Sequence, residues 1–259
     1  MRIVFIGAGN LATNLAHAMY TRGYQVPQVF SRTQQSASRL AEKVNATAIH
    51  NIGELHRDAD LYIIALKDDA LQSVKRQLPD VSGIYAHTAG SVSIEELKGF
   101  VKNYGVFYPL QTFNKERLVE FTHIPVCIEA NTQKNLKVLH RVAANISEEV
   151  HEMNSGDRLA LHVAAVFACN FTNFMLAGAE EILHRHQIPF SILKPLIQET
   201  IDKTHQHSPK QVQTGPARRG DRTTIKRHMD LLSHNENLRK IYSFVTDAMM
   251  EFYNSESDQ

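Results

Sequence analysis

The amino-acid sequence predicts a doubly wound α/β domain with a mainly parallel sheet, followed by an all-helical domain. Three observations carry this reading. A short apolar run, Ile3 to Ile6, meets Gly7-Ala8-Gly9 and passes at once into a helical stretch from about Asn10 to Arg22. Apolar runs without polar alternation then recur between helical stretches, as parallel strands buried on both faces do. Beyond Asn154-Ser155-Gly156 the strand-like runs stop and only helical periodicity remains, which divides the chain into residues 1–153 and 154–259.

The first junction has the pattern G-x-G-x-x-G/A, with Ala12 in the third place. Gly7 permits a tight turn, Gly9 lets backbone approach a pyrophosphate, and Ala12 keeps the helix close to the sheet. The helix N-terminus offers unpaired N–H groups to the phosphates. This marks a dinucleotide site on Gly7, Ala8, Gly9, Asn10 and Leu11, against the bland alternative of a structural glycine turn. Val26 to Phe30 is a second strand and ends in Ser31-Arg32-Thr33. The end of that strand lies beside the adenosine ribose, where an acidic residue would hold a free 2′-hydroxyl and an arginine suits a 2′-phosphate. A guanidinium and two hydroxyls with no acid favour NADP(H) over NAD(H).

The alternation continues. Ala37 to Val44 has helical spacing, Thr47 to His50 reads as a short strand, and Ile52 to Arg57 as a helical turn. Asp60 to Leu66 is a buried strand with Lys67-Asp68-Asp69 at its C-terminal end, the edge where open α/β sheets place their ligands. Leu66 and Lys67 therefore border the cofactor. Leu71 to Leu78 reads as a helix, Gly83 to His87 as a strand entering Thr88-Ala89-Gly90-Ser91, and Ile94 to Asn103 as another helix. Gly105 to Tyr108 leads into Pro109-Leu110-Gln111-Thr112-Phe113. Pro125 to Glu129 and Glu148 to Glu152 are strands around the helix Thr132 to Asn145. His87, Thr88, Tyr108 and Gln111 fall on the ligand edge, where they touch the nicotinamide amide or the substrate, or only hydrogen-bond within their loops.

In the second half one long helical pattern runs from Asp157 to about Gln187, and another from Ser191 to Gln206. A polar stretch, Ser208 to Arg222, precedes helices from about Thr223 to Leu232 and from Glu236 to Tyr253. The last six residues, Asn254 to Gln259, are expected to fray.

Composition narrows the function classes. The chain has 259 residues, 43% hydrophobic and 21% charged, with a formal net charge of +1. Nothing there argues for a nucleic-acid or membrane surface. Cys127 and Cys169 are isolated in apolar contexts and are expected to be buried thiols, which suits a reducing, cytoplasmic compartment. The N-terminal apolar run is too short for a signal peptide. The most apolar helix is interrupted by His162 and Asn170, so no membrane span is expected. No H-E-x-x-H or cysteine pair suggests a metal site.

A bound nicotinamide needs a carbonyl or imine partner and a group that exchanges a proton with it. Along the long helix Arg158, His162, Val166, Asn170 and Asn173 fall at spacings of four, four, four and three, broadly on one face. An imidazole can donate or accept the proton, and an Asn amide can polarise the substrate oxygen. The alternative is a set of satisfied polar groups in a packed helix. Thr214-Gly215-Pro216-Ala217-Arg218-Arg219-Gly220-Asp221 is the other composed stretch. Arg219 is placed to hold a substrate anion, with Thr214 and Asp221 beside it. Asp221 equally suits the N-cap of the next helix.

On these motifs the N-terminal half resembles the NADP-binding domain of pyrroline-carboxylate reductases, through Gly7 to Ala12 and Ser31-Arg32-Thr33. The whole chain is similar to bacterial Rossmann-like proteins whose C-terminal part is a domain of unknown function, family 2520. The matching stretches are His87 to Ser91, Tyr108 to Phe113, His162 to Phe171 and Thr214 to Asp221. The resemblance implies a helical C-terminal domain like that of 6-phosphogluconate dehydrogenase relatives, often used to form a homodimer. In relatives with hydroxyacid substrates a Lys opens this helix face, and here His162 stands there. Tyr108 likewise replaces a His that related reductases carry before this proline.

The sequence thus points first to an NADP-dependent oxidoreductase acting on a small, anionic carbonyl or imine compound. His162 is the candidate acid/base, Asn170 orients the substrate and Arg219 holds its anion, in a cleft between the domains. A non-catalytic NADP-binding sensor or partner-binding dimer is the alternative. A pyrroline-carboxylate reductase is a weaker one, because the Thr214 to Asp221 loop and the C-terminal helices differ.

Overall fold

The computed structural model describes residues 1–254. Strands β1 (Ile3–Ile6), β2 (Gln28–Phe30), β3 (Thr47–Ile49), β4 (Leu61–Ile64), β5 (Ile84–His87), β6 (Tyr104–Pro109), β7 (Val126–Ala130) and β8 (Val150–Glu152) form one sheet. Their order is β3-β2-β1-β4-β5-β6-β7-β8. All neighbours pair in parallel except β6 with β7, which are antiparallel.

The apolar runs are strands because both faces of the sheet are covered. Successive residues feed two cores. Ile3, Phe5, Leu61 and Ile63 pack on one side with Leu15, Leu139 and Val142, which come from α1 (Asn10–Thr21) and α4 (Gln133–Ile146). Val4, Ile6, Tyr62 and Ile64 pack on the other with Leu71, Ile94 and Leu97. Helix α2 (Gln34–Lys43) contributes Leu40 and Ala41 to the first core, and α3 (Asp68–Val74) contributes Leu71 and Val74 to the second.

The helix expected over Ile94 to Asn103 is instead a single 3-10 turn, Ile94–Leu97. Lys98 is already extended and Gly99 has φ +80, so the apolar spacing continues where the backbone does not.

Helix α5 (Ser155–Ala165), a π turn (Val166–Phe171) and α6 (Thr172–Arg185) make one continuous rod. After it come α7 (Lys194–Gln206), α8 (Pro216–Arg219), α9 (Arg222–Leu231) and α10 (Glu236–Asn254). The chain divides into two compact units, Met1–Asn170 and Phe171 onward, so α5 belongs with the sheet. The fraying expected at the C-terminus falls, beyond Asn254, outside the described residues.

Two sequence expectations are corrected on the rod. Ser155–Arg185 is long and apolar enough, by length and composition, to cross a membrane, with a mean hydropathy of 1.6 over its most apolar window. Two polar residues, His162 and Asn170, lower such an average too little to exclude it. Cys127 is buried as expected, but Cys169, in the π turn, is exposed.

Candidate functional site

Strands β1, β2, β4, β5 and β6 run parallel, so the segments that follow them meet along one sheet edge. At the end of β1, the Gly7 N–H donates to the Phe30 carbonyl at 2.8 Å. Gly7 has φ +124, and a Cβ there would fall on the Ala65 carbonyl. Only glycine fits that turn. At Gly9 the reverse holds: a Cβ would meet nothing within 4 Å, so the space above the turn is open. Among the described residues no side chain caps α1, and its first turn holds no acidic residue. Its N–H groups and the positive end of its dipole therefore face this open space, which fits a pyrophosphate. Ala12 is fully buried under the helix. The Asn10 side chain is used locally, its oxygen accepting from the Lys115 N–H at 3.3 Å.

At the end of β2 the Ser31 N–H donates to the Ile49 carbonyl at 3.1 Å, while Arg32 and Thr33 are exposed. The Thr33 hydroxyl donates to Ser36 Oγ at 2.8 Å. An exposed guanidinium between two hydroxyl residues fits a phosphate better than it fits a free ribose.

Beyond β4, Leu66 is half-buried and Lys67 exposed at the start of α3. Beyond β5, Thr88 is buried, its N–H donating to the Ile64 carbonyl at 3.1 Å. The Ser91 hydroxyl donates to Asp68 Oδ2 at 2.6 Å, which ties the loops after β4 and β5 together. His87 itself is buried. Its Nδ1 accepts from the Ala89 N–H at 3.3 Å, and among the described residues its Nε2 has no hydrogen-bond partner. Burial, and secondarily the Arg158 guanidinium, push its pKa down to about 4. The ring therefore stays neutral at physiological pH, with its nitrogens enclosed.

Tyr108 and His162, separated by 54 positions, meet. Tyr108 Oη lies 3.1 Å from His162 Nδ1, and the rings stand edge to face at 74° with centroids 6.1 Å apart. Tyr108 projects two residues beyond the level of His87 in β6, paired with Cys127 of β7. Burial pushes its phenol pKa up, so the hydroxyl keeps its proton. Gly90 packs directly on this pair: a Cβ there would lie 2.7 Å from His162 Nδ1 and 2.9 Å from Tyr108 Cζ. Gly90 is needed for space rather than for backbone conformation.

One turn before His162, Arg158 does not face a ligand. It is 1% exposed and donates to Glu129 Oε2 at 2.5 Å, to the Val92 carbonyl at 2.6 Å and to Ser155 Oγ at 3.0 Å. Ser155 in turn donates to Glu129 Oε2 at 2.8 Å. This network clamps the start of α5 to β7 and to the loop after β5, and so sets where His162 stands. Sequence reasoning had no route to it, because its members come from three separate segments. Asn170 lies in the π turn and is exposed. Gln111 is exposed, and its Oε1 accepts from the Thr112 N–H at 2.8 Å.

Thr214, Arg219 and Asp221 belong to the second unit. Gly215 (φ +111) and Gly220 (φ +67) bracket α8, and Arg219, its last residue, is exposed. Asp221 caps α9, its carboxylate accepting from the Thr224 N–H at 3.0 Å and the Thr224 hydroxyl at 2.7 Å. These bonds hold its pKa below the usual carboxylate range. Thr214 and Pro216 line an apolar cavity of about 320 Å³ with Met175, Ile182, Ile241 and Tyr242.

Compared with known proteins, residues 2–84 match the family described as "NADP oxidoreductase coenzyme F420-dependent", and residues 124–249 match the domain of unknown function DUF2520. No curated protein matches the chain significantly. A Bacteroides fragilis protein of known structure, described as a "putative NADP oxidoreductase", is 43% identical; the match covers 96% of this chain and 98% of that one, with a TM-score of 0.91. A Thermotoga maritima protein is 20% identical, with 98% and 99% covered and a TM-score of 0.70. An imine reductase from Myxococcus stipitatus, solved with NADP+, is 16% identical, with 100% and 94% covered and a TM-score of 0.69. The last two speak for the fold alone. With the Bacteroides protein so similar along nearly its whole length, this chain belongs to the family of NADP oxidoreductases that join such an N-terminal domain to a DUF2520 domain.

Proposed function

We propose that this chain is an NADP-dependent oxidoreductase acting on a small, anionic carbonyl or imine compound. The observation that carries the reading is the presence, on one sheet edge, of an open glycine cradle and a Tyr108–His162 pair. NADP(H), when bound, supplies or accepts the hydride. Gly7, Ala8, Gly9, Asn10 and Leu11 would hold its pyrophosphate through backbone N–H groups, and Ser31, Arg32 and Thr33 its 2′-phosphate. Leu66, Lys67, His87 and Thr88 would border the nicotinamide end. When the substrate is reduced, its carbon gains the hydride and its oxygen or nitrogen gains a proton, and His162 is the group that supplies it. Asn170 orients the reacting group, and Arg219 holds the anion.

The first test is a thermal-shift titration with NADPH, NADP, NADH and NAD. A ligand held at about 100 times its Kd adds about 2.7 kcal/mol to the native state. A rise with the phosphorylated pair alone is the expected result, followed by turnover on a carbonyl and imine panel that H162A and R219A abolish. No rise with any nucleotide refutes the reading. Tight binding without turnover on any substrate supports the non-catalytic sensor instead.

The exposed rod supports a homodimer. Leu159, Val163, Phe167 and Phe174 are all 45% or more exposed, and none of the most apolar window is buried. A contiguous apolar surface of this kind marks an interface. A second copy of the helical faces is the occupant we propose, in a cytoplasmic protein whose two thiols are free. Light scattering in detergent-free buffer is expected to give twice the chain mass. Monomer there, or recovery only with membranes, overturns this.

A further inference from the structure

We infer that Tyr108 is a positioning residue that fixes His162 as the tautomer protonated on Nε2. The site then presents a hydrogen-bond donor and takes a substrate atom with a free lone pair, a carbonyl oxygen or an unprotonated imine nitrogen. This rests on the reading of His162 as the proton-exchanging group.

The direction of the hydrogen bond follows from what each partner can do. A hydroxyl has one proton to place, and a neutral imidazole has one N–H and one lone pair. Tyr108 is 8% exposed, and among the described residues His162 Nδ1 is the acceptor within reach of its hydroxyl. Leaving a buried donor unpaired costs about 1–3 kcal/mol. A phenol is also a much stronger donor than a neutral imidazole, and burial holds the proton on Tyr108. The hydroxyl therefore donates to Nδ1. A ring nitrogen that accepts carries no proton, so the ring proton sits on Nε2. That nitrogen has no protein partner among the described residues and is the one left for a ligand.

The ring is held as well as polarised. Gly90 lies against one side, where a Cβ would come within 2.8 Å of His162 Cγ. The Arg158 network fixes the preceding helical turn. The imidazole keeps one orientation with Nδ1 facing Tyr108; as Nε2 gives its proton to the substrate, Nδ1 takes the Tyr108 hydroxyl proton, which solvent then restores, so the ring ends neutral.

The experiment is long-range proton–nitrogen NMR of the imidazole groups in the full-length, 15N-labelled protein, without cofactor, at a pH where the ring is neutral. His162 is assigned by its loss in H162N. The wild type is expected to show Nε2 as the protonated nitrogen and Nδ1 as the bare one. Y108F keeps the ring and its packing, so its melting temperature should stay within a few degrees, but the His162 signals should move to a tautomer average. G90A should do the same with both side chains present. On the panel substrate, Y108F is expected to lower kcat about 100-fold, as a misplaced catalytic group does, with KM nearly unchanged. A proton on Nδ1 in the wild type, or a His162 spectrum unaltered in Y108F, overturns the inference. Because the spectrum is read without nucleotide, its failure is distinct from a failure of NADP(H) to bind.

Discussion

Replacing Arg158 with methionine keeps the side-chain stem and deletes the guanidinium. The change removes the donors to Glu129, the Val92 carbonyl and Ser155 at once. Breaking a buried ion pair on one side costs about 3–5 kcal/mol, because the remaining charge is left without a partner. Here Glu129 keeps the Ser155 hydroxyl, and its side chain is 18% exposed, so water can reach it. The lower end of the range therefore applies, about 3 kcal/mol. For a protein of this size that is a fall of about 6–12 °C in Tm. The chain has no tryptophan, so urea unfolding followed by far-ultraviolet circular dichroism is the assay. The double variant R158M/E129M removes both charges and should be more stable than R158M alone by about 2 kcal/mol. If R158M costs less than about 1 kcal/mol, or the double variant is no better than R158M, the clamp is not what holds α5 and the reasoning fails.

Other predictions follow from single groups. His87 has a folded pKa of about 4, below its ordinary value of about 6.5, so between these limits the unfolded chain binds more protons. Its contribution, roughly 3 kcal/mol at most, is present above pH 6.5 and lost as pH falls toward 4. H87N should flatten the Tm profile across that window. R32A removes the guanidinium proposed for the 2′-phosphate and should weaken NADPH binding about 10–100-fold in calorimetry while leaving NADH little changed. D221A deletes the cap of α9 and should cost about 1 kcal/mol in urea unfolding.

The strands and the cradle were legible in the sequence because each depends on local pattern. Ile3 to Ile6 and Leu61 to Ile64 are apolar throughout, and Gly7 stands where a Cβ would strike Ala65, so these elements declare themselves. His162 and Tyr108 were each singled out, but their contact was not legible, since it depends on a helix and a strand 54 residues apart. The same holds for Arg158 with Glu129, 29 positions away. Gly90 was visible only as part of a motif. Its reason, the space taken by an imidazole and a phenol, exists only once the pair has formed. The Ile94 to Asn103 helix failed for a local reason: apolar spacing was weighed above the glycine at 99, whose positive φ follows an already extended Lys98.

The face assigned to the long helix illustrates the physics that spacing alone conceals. Each step of four in an α-helix overshoots a full turn by about 40°, so three such steps would carry Asn170 about 120° round from Arg158 in an unbroken α-helix. Arg158 is buried against the sheet and Asn170 is exposed. His162 lies between them, half-buried and in contact with Tyr108. The π turn over Val166–Phe171 closes to the fifth residue rather than the fourth, so it advances less per residue and draws Asn170 back toward the line of His162. A break in helical regularity is costly in a rod with nothing to gain from it, and π turns recur at functional sites. Replacing Asn170 with alanine keeps the turn and removes the amide, and it should lower turnover on the panel substrate. If turnover survived N170A unchanged, Asn170 would have no part in orienting the substrate.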